Sequence, residues 1–169
     1  MIRNTARAII INNGKILLNK NQNTCGEFSW GMPDGAVYYD LPGGGQDKYE
    51  TLEDAVKREL LEEAGCIVEV GRLAAIYEDI CICIDVPNEK LRPIIEAHSH
   101  KTHFVFICRL VSQGKPTALE KDMDMLESVW IDVTEIKNTP LFPQIMRDKF
   151  DLIMNTQGTM FLGSSVMRL

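Results

Sequence analysis

Three glutamates lie close together near the middle of the chain. Glu59, Glu62 and Glu63 stand at positions i, i+3 and i+4, a spacing that places all three carboxylates on one side of a helix. Two such charges about 4 Å apart repel by roughly 4 kcal/mol at an effective dielectric constant of 20. Arg58 can neutralise one of them, and the surplus favours a hard cation that takes oxygen ligands, Mg²⁺ or Mn²⁺. The same short pattern taken alone is more often a solvated acidic helix end.

The sequence also predicts the helix that carries these glutamates. Thr51, with Asp54 three residues later, forms a weak capping box, and Gly65 is typical of the position that follows a helix. On a helical wheel that starts at Leu52, Glu59 and Glu63 fall in the arc of the apolar residues. Surface helices normally keep acids on the solvent side. Two glutamates in the core-facing stripe therefore indicate a role beyond solubility.

A longer pattern surrounds the helix and resembles a known family. The segment from Gly44 to Cys66 reads GGQDKYETLEDAVKRELLEEAGC and matches G-x5-E-x7-R-E-U-x-E-E-x-G-U, where U is a bulky aliphatic residue. This pattern resembles the Nudix box, and the fixed positions that match are Gly44, Glu50, Arg58, Glu59, Glu62, Glu63 and Gly65. Cys66 stands where an aliphatic residue is usual, and Tyr49 replaces a glycine that many relatives carry.

The resemblance implies an enzyme and a fold. The fold would be α/β of the α+β kind, a Nudix-type α/β/α sandwich with a mixed central β-sheet. The activity would be hydrolysis of a diphosphate linkage in a nucleoside diphosphate derivative, with water attacking phosphorus. Mg²⁺ or Mn²⁺ would be held by Glu59, Glu62, Glu63 and the carbonyl of Gly43. Arg58 would orient a carboxylate by paired hydrogen bonds, and Glu50 would support the loop or an outer metal shell.

The general base is a separate question, because glutamates already bound to a metal are poor proton acceptors. An acidic segment at residues 120–127 precedes Trp130, and relatives often place a functional glutamate shortly before a similar tryptophan. Asp124 and Glu127 are the best-placed candidates. A solvated acidic loop is the competing interpretation, and Glu59 is the alternative base on the helix.

The remaining elements are predicted from hydrophobic patterns and turn residues. Asn12-Asn13-Gly14 between two apolar runs predicts a β-hairpin, and residues 19–40 form a long excursion. Strands are expected at about 71–84, 103–111 and 128–133, with a loop at 85–96 and a second helix from Pro143. No internal repeat or linker divides the sequence, so residues 1–169 are expected to form a single domain.

Composition narrows the function further. The formal charge of -6 gives no long-range attraction for nucleic acid or an anionic membrane, which favours a small-molecule ligand. The five cysteines are odd in number and show no C-x-x-C pair, so we expect reduced, mostly buried thiols. The N-terminus lacks the order of a signal peptide and no long apolar run occurs, so a cytoplasmic protein is expected. Whether it forms a homodimer stays open.

Two other functions compete with the hydrolase. An enzyme like isoprenoid-diphosphate isomerase would need a reactive cysteine and a glutamate beyond the box, which the sequence does not identify, and a non-catalytic nucleotide-binding sensor usually loses the Glu-Glu pair. A histidine metal site is less favoured than solvent-facing or substrate-adjacent histidines. Aromatic residues in the long excursion either stack on a base or pack the loop. The residues concerned are His98, His100 and His103, and Trp30, Tyr38 and Tyr39.

Overall fold

The computed structural model describes residues 2–24, 32–82, 99–118 and 124–168. They form a mixed β-sheet of eight strands with the order β3-β2-β1-β6-β5-β8, to which β4 adds beside β1 and β7 beside β2. The strands are β1 (Arg3–Asn12), β2 (Lys15–Gln22), β3 (Val37–Asp40), β4 (Gly43–Gly45), β5 (Cys66–Ile82), β6 (His100–Gln113), β7 (Met125–Asp132) and β8 (Met160–Arg168). The helices are α1 (Leu52–Ala64), a 3-10 helix (Val133–Asn138), α2 (Gln144–Asp148) and α3 (Phe150–Asn155).

The sheet contains antiparallel and parallel pairs. β1 and β2 form the predicted hairpin, whose turn has positive φ angles at Asn13 and Gly14, the conformation that an Asn-Gly hairpin turn requires. β1 also pairs with β6 in parallel and with β4 antiparallel. As a result, β1 lies beside the glycine strand β4 on one edge and β6 on the other.

Helices cover both faces of the sheet, as the predicted α/β/α sandwich requires. On one face, which we term the α1 face, Val56 and Leu60 of α1 pack on alternating residues of β1 such as Ala8 and Ile10. On the opposite face, the 3-10 helix, α2 and α3 contribute a second cluster. This cluster includes Ile9, Val105, Ile136, Met146, Phe150 and Ile153. The period-two alternation of each strand therefore supplies both cores.

The structure differs from the predicted elements at several places. β5 begins at Cys66 and not near residue 71, because bulges between Val70 and Leu73 accommodate Gly71 without ending the strand. The helix from Pro143 is divided into α2 and α3, since Lys149 leaves helical geometry at φ -105° and ψ 5°. β8 was not predicted. It pairs in parallel with β5, and its course is irregular at Gly163, where φ is 96°.

Some predictions fall outside the described residues. These predictions concern the loop at 85–96 and the residues Trp30, Cys83 and His98. Within the described parts of the chain, no helix has the length and apolar character needed to cross a membrane. Cys66 and Cys108 are buried free thiols and Cys81 is partly buried.

Candidate active site

The site is built around the glycine strand β4 and the last two turns of α1. Gly43 has a φ of 124°, and a Cβ there would lie 2.2 Å from the Ala6 carbonyl oxygen. At Gly44 a Cβ would lie 2.5 Å from the carboxyl carbon of Glu59. Real Cβ atoms cannot approach so closely, so only glycine lets the helix carboxylate rest on the strand.

Local signals at both ends fix where α1 starts and stops. The Thr51 side chain accepts a hydrogen bond from the Asp54 backbone N–H, and Gly65 takes the left-handed conformation at φ 64°. The helix therefore spans Leu52–Ala64, as predicted. These ends place the four charged residues of the box, Arg58 to Glu63, beside β4.

Arg58 donates hydrogen bonds to three of the carboxylates of the site. Its Nε and Nη2 atoms donate to the two carboxylate oxygens of Glu50 at 2.8 and 3.0 Å. Nη1 donates to Glu59 at 2.9 Å and to Glu62 at 3.2 Å, and Nη2 also reaches the Gly45 carbonyl at 2.9 Å. These hydrogen bonds raise the pKa of Arg58 and lower the pKa of Glu50. One guanidinium thus orients three carboxylates, as the paired hydrogen bonds of arginine allow.

Glu63 faces away from Arg58 and into the sheet. Its Oε2 accepts hydrogen bonds from the Gly43 backbone N–H at 2.9 Å and from Asn19 Nδ2 at 2.8 Å. Burial raises the pKa of Glu63 to about 7, although Arg7, Asn19 and Gly43 act in the opposite direction. The carboxylate is thus a partly buried acid whose charge is only partly compensated.

Glu59 resembles Glu63 in its electrostatics. Burial raises its pKa, and the hydrogen bond from Arg58 offsets part of that rise. Desolvation disfavours the charged form of an acid, and a nearby cation restores it. Two glutamates with raised pKa values, an additional acid at Glu62 and backbone oxygens of β4 form a donor set of hard oxygens, which suits a cation such as Mg²⁺.

The carboxylates do not yet converge on one point. Glu59 and Glu62 turn toward Arg58, whereas Glu63 turns toward Gly43. Among the residues that the structure describes, no group of three or more His, Cys, Asp or Glu side chains is arranged to hold a metal ion. A metal would require at least one carboxylate to rotate away from Arg58.

The Gly43 carbonyl, a predicted metal ligand, already has one partner. Arg7, a partly buried residue of β1, donates from Nη1 to the carbonyls of Gly43 and Leu41, the latter at 2.9 Å. Burial acts to lower the pKa of Arg7, but Asp40 and the site glutamates outweigh it and raise this pKa. A carbonyl oxygen has two lone pairs, so this contact leaves one of them for another ligand.

The two predicted bases have different surroundings: Asp124 precedes β7 in a turn, whereas Glu127 lies on β7 itself. Asp124 accepts hydrogen bonds from the Thr24 backbone N–H at 3.2 Å and from the Tyr38 hydroxyl at 3.5 Å. Glu127 is exposed and lies 3.8 Å from Lys20 Nζ. Its neighbour Ser128 instead faces α1, donating to the Glu63 carbonyl at 3.3 Å. Strand alternation therefore turns Glu127 away from the helix.

A polar strip links Glu63 to Asp124 along the α1 face. Asn19 donates to Glu63, and Asn21, two residues further along β2, donates to Asp40 at 3.0 Å. In the β2·β3 register Asn21 lies opposite Tyr38, which contacts Asp124. Sequence reasoning did not identify the two asparagines. Their only sequence signal is the placement of Asn19 and Asn21 at alternate positions just after an apolar strand segment.

The histidines and tyrosines have other surroundings. His103 is buried at 4% exposure and is not solvent-facing: its Nδ1 lies 2.7 Å from Thr5 Oγ1 and its Nε2 lies 3.1 Å from Asp79. Tyr77 stacks on its ring with centroids 4.3 Å apart. His100 lies 3.8 Å from Glu78 and is partly buried. Tyr39 packs against the second core cluster and Tyr38 lies edge-on to Phe142.

Comparisons with known proteins agree with this architecture. A family model described as the NUDIX domain matches residues 1–152. Among solved structures, a Nudix hydrolase from Nitrosomonas europaea is 21% identical, with a TM-score of 0.66 and coverage of 94% of this chain and 93% of that one. An ADP-ribose pyrophosphatase from Streptococcus suis is 22% identical, with a TM-score of 0.58 and coverage of 94% and 98%.

A third structure, the MutT protein from Methanosarcina mazei, is 21% identical, with a TM-score of 0.60 and coverage of 90% and 93%. At these identities the structural likeness shows the fold. No curated protein matches the chain. Because the family model spans residues 1–152, from the hairpin into α3, the chain belongs to the Nudix family of pyrophosphohydrolases.

Proposed function

We propose that the chain hydrolyses a diphosphate linkage in a nucleoside diphosphate derivative, using Mg²⁺ or Mn²⁺ held by α1. The observation that supports this most strongly is the pair of partly buried glutamates, Glu59 and Glu63, which lie against Gly44 and Gly43 of the glycine strand and whose pKa values burial raises. Buried acids are costly unless a cation or a proton neutralises them. A divalent ion would relieve that cost and would leave a site for a phosphate ligand.

The metal would be held by Glu59, Glu62 and Glu63, with the second lone pair of the Gly43 carbonyl. When bound, it would neutralise phosphate charge and lower the pKa of a water molecule. Arg58 would release Glu62 or Glu59 toward the ion while its bidentate contact with Glu50 keeps the guanidinium in place. The Gly43 N–H and Asn19 would fix the orientation of Glu63, as outer partners of metal ligands do.

Proton removal from the attacking water requires a further acceptor. We propose Asp124 ahead of Glu127, because Asp124 lies at the end of the polar strip that contains Glu63, whereas Glu127 is on the other face of β7. Glu59 is the alternative base on the helix. The proton would pass to the carboxylate as water attacks phosphorus, and two phosphorylated products would leave.

The test is a panel of compounds incubated with the pure protein. Nucleoside triphosphates, dinucleoside polyphosphates, ADP-ribose and nucleotide sugars would each be supplied with Mg²⁺ or with EDTA, and phosphate would be measured after added phosphatase. We expect at least one compound to be hydrolysed only with the metal, and Glu62→Gln to lose most of that turnover. Hydrolysis that persists in EDTA, or binding without turnover across the panel, would contradict the proposal.

A further inference from the structure

A chain of hydrogen-bonded side chains links β7 to the carboxylate of Glu63. Ser128 lies directly opposite Asn19 in the antiparallel register of β2 and β7. The Ser128 hydroxyl oxygen lies 2.9 Å from Asn19 Oδ1, and Asn19 Nδ2 donates to Glu63 Oε2 at 2.8 Å. Ser128 therefore contacts the side chain that holds Glu63, although it belongs to a different strand.

The chemistry of the three groups fixes the direction of these hydrogen bonds. A charged carboxylate only accepts hydrogen bonds, so Asn19 presents its NH₂ group to Glu63 and its carbonyl oxygen to Ser128. Ser128 must then donate its single hydroxyl proton to Asn19. Asn19 is 2% exposed, so bulk water has little access to replace this donor. Because a buried acceptor without a donor is costly, the orientation of the Asn19 amide depends on the Ser128 hydroxyl.

The same hydroxyl also contacts the backbone of Glu63. Its oxygen lies 3.3 Å from the Glu63 carbonyl oxygen, which is one of the last four carbonyls of α1 and so lacks a partner within the helix. This distance is longer than the 2.9 Å to Asn19, so the hydroxyl donates mainly to Asn19. Ser128 thus lies within reach of the Glu63 backbone and of the amide that holds the Glu63 carboxylate.

Both hydrogen-bond donors to the Glu63 carboxylate bind the same oxygen atom. Asn19 and the Gly43 N–H each donate to Oε2. Among residues 2–24, 32–82, 99–118 and 124–168, no group donates to Oε1. Hydrogen bonds therefore fix one oxygen of this carboxylate and leave the other oxygen for a cation.

We propose that Ser128 is a positioning residue for Glu63 and acts on it through Asn19. Its hydroxyl holds the Asn19 amide in the orientation that donates to Oε2, which keeps Oε1 available to a metal ion. This inference rests on the proposed function, in which Glu63 is a metal ligand. Removing a hydrogen-bonding partner of a metal ligand typically weakens metal binding by about 10- to 100-fold. Ser128 acts one step further away, so we expect a loss of at least about fivefold.

The test measures Mn²⁺ affinity by calorimetry in the absence of substrate. Ser128→Ala should bind Mn²⁺ at least about fivefold more weakly than the wild type, because the hydroxyl is removed without added bulk. Ser128→Val and Ser128→Thr have nearly the same shape, and only threonine keeps the hydroxyl, so the valine variant should bind more weakly by a similar factor. Ser112→Val is the matched control, because Ser112 is an exposed serine in β6, and it should leave the affinity unchanged. Melting temperatures in EDTA would verify that each variant folds.

Asn19→Leu tests whether Ser128 acts through Asn19. In the Asn19→Leu background, Ser128→Ala should change the Mn²⁺ affinity by less than about twofold, because the amide that connects Ser128 to Glu63 is absent. A merely structural role would weaken Mn²⁺ binding equally in both backgrounds, and that result would overturn the inference.

The outcomes separate this inference from the proposed function. If the wild type binds Mn²⁺ and hydrolyses a compound in the panel, but Ser128→Ala and Ser128→Val keep full affinity, the positioning role is wrong and the proposed function stands. If the variants behave as expected but no compound is hydrolysed, the positioning role stands and the hydrolase proposal fails. A wild-type chain that binds no Mn²⁺ would overturn both.

Discussion

Replacing Glu63 with glutamine should stabilise the metal-free protein while it stops turnover. The side chain is partly buried against β4, and its carboxylate accepts hydrogen bonds from the Gly43 N–H and from Asn19. Glutamine keeps an amide oxygen that can accept both hydrogen bonds. What it removes is the negative charge, which burial makes unfavourable.

The magnitude follows from the raised pKa of Glu63. Burial raises it from 4.5 to about 7, so the folded protein holds this proton more tightly than the unfolded chain does. The protonated Glu63 carboxyl therefore stabilises the folded state below pH 4.5. This contribution to the free energy of unfolding is lost as the pH rises to 7, and it remains absent above pH 7. At 1.36 kcal/mol per pH unit the loss is about 3 kcal/mol. In a chain of this size that corresponds to roughly 6 to 12 °C in melting temperature.

The assay is thermal unfolding in EDTA at pH 5 and pH 8. The wild-type protein should melt lower at pH 8, and Glu63→Gln should lose most of that difference. Glu53→Gln is the matched control, because Glu53 is an exposed acid in the first turn of the same helix. Added Mg²⁺ should raise the melting temperature of the wild type at pH 8 but not that of Glu63→Gln. A destabilised Glu63→Gln protein at pH 8 in EDTA would refute the reasoning.

Other predictions concern the strand and the base. Gly44→Ala should cut kcat/KM by at least about tenfold, because its methyl group would collide with the Glu59 carboxylate. Gly158→Ala is the control and should leave kcat/KM unchanged, since a Cβ there meets nothing within 4 Å. Both would be compared in steady-state kinetics. Asp124→Asn should retain Mg²⁺ and substrate binding but lose turnover and the acid limb of the pH-rate profile. Glu127→Gln should keep near wild-type turnover. If instead Glu127→Gln loses turnover and Asp124→Asn keeps it, Glu127 is the general base and Asp124 is not.

Several parts of the fold could be predicted because their signals are local. Thr51 and Gly65 define α1 from its own sequence, and Asn13-Gly14 sets the first hairpin. The spacing of the glutamates placed Glu59 and Glu63 within the core-facing stripe, and the structure partly buries both. Each of these inferences needed only neighbours within one helix or one turn.

The features that were missed depend on contacts between distant segments. Asn19 reaches Glu63 across 44 positions in sequence, and β8 is held by parallel pairing with β5. His103 lies on β6 and is buried because Thr5 of β1 and Tyr77 and Asp79 of β5 surround it, so these contacts join three strands. A sequence pattern carries no information on such partners until the sheet order is known.

The central claim is that a metal on α1 directs water to a phosphorus atom. It is tested most directly by hydrolysing a substrate from the panel in ¹⁸O-labelled water with Mg²⁺ and analysing the products by mass spectrometry. Attack on phosphorus places one labelled oxygen in a phosphate product, and EDTA should abolish that product. Label found only in an alcohol or sugar hydroxyl, or labelled phosphate formed equally in EDTA, would contradict the account.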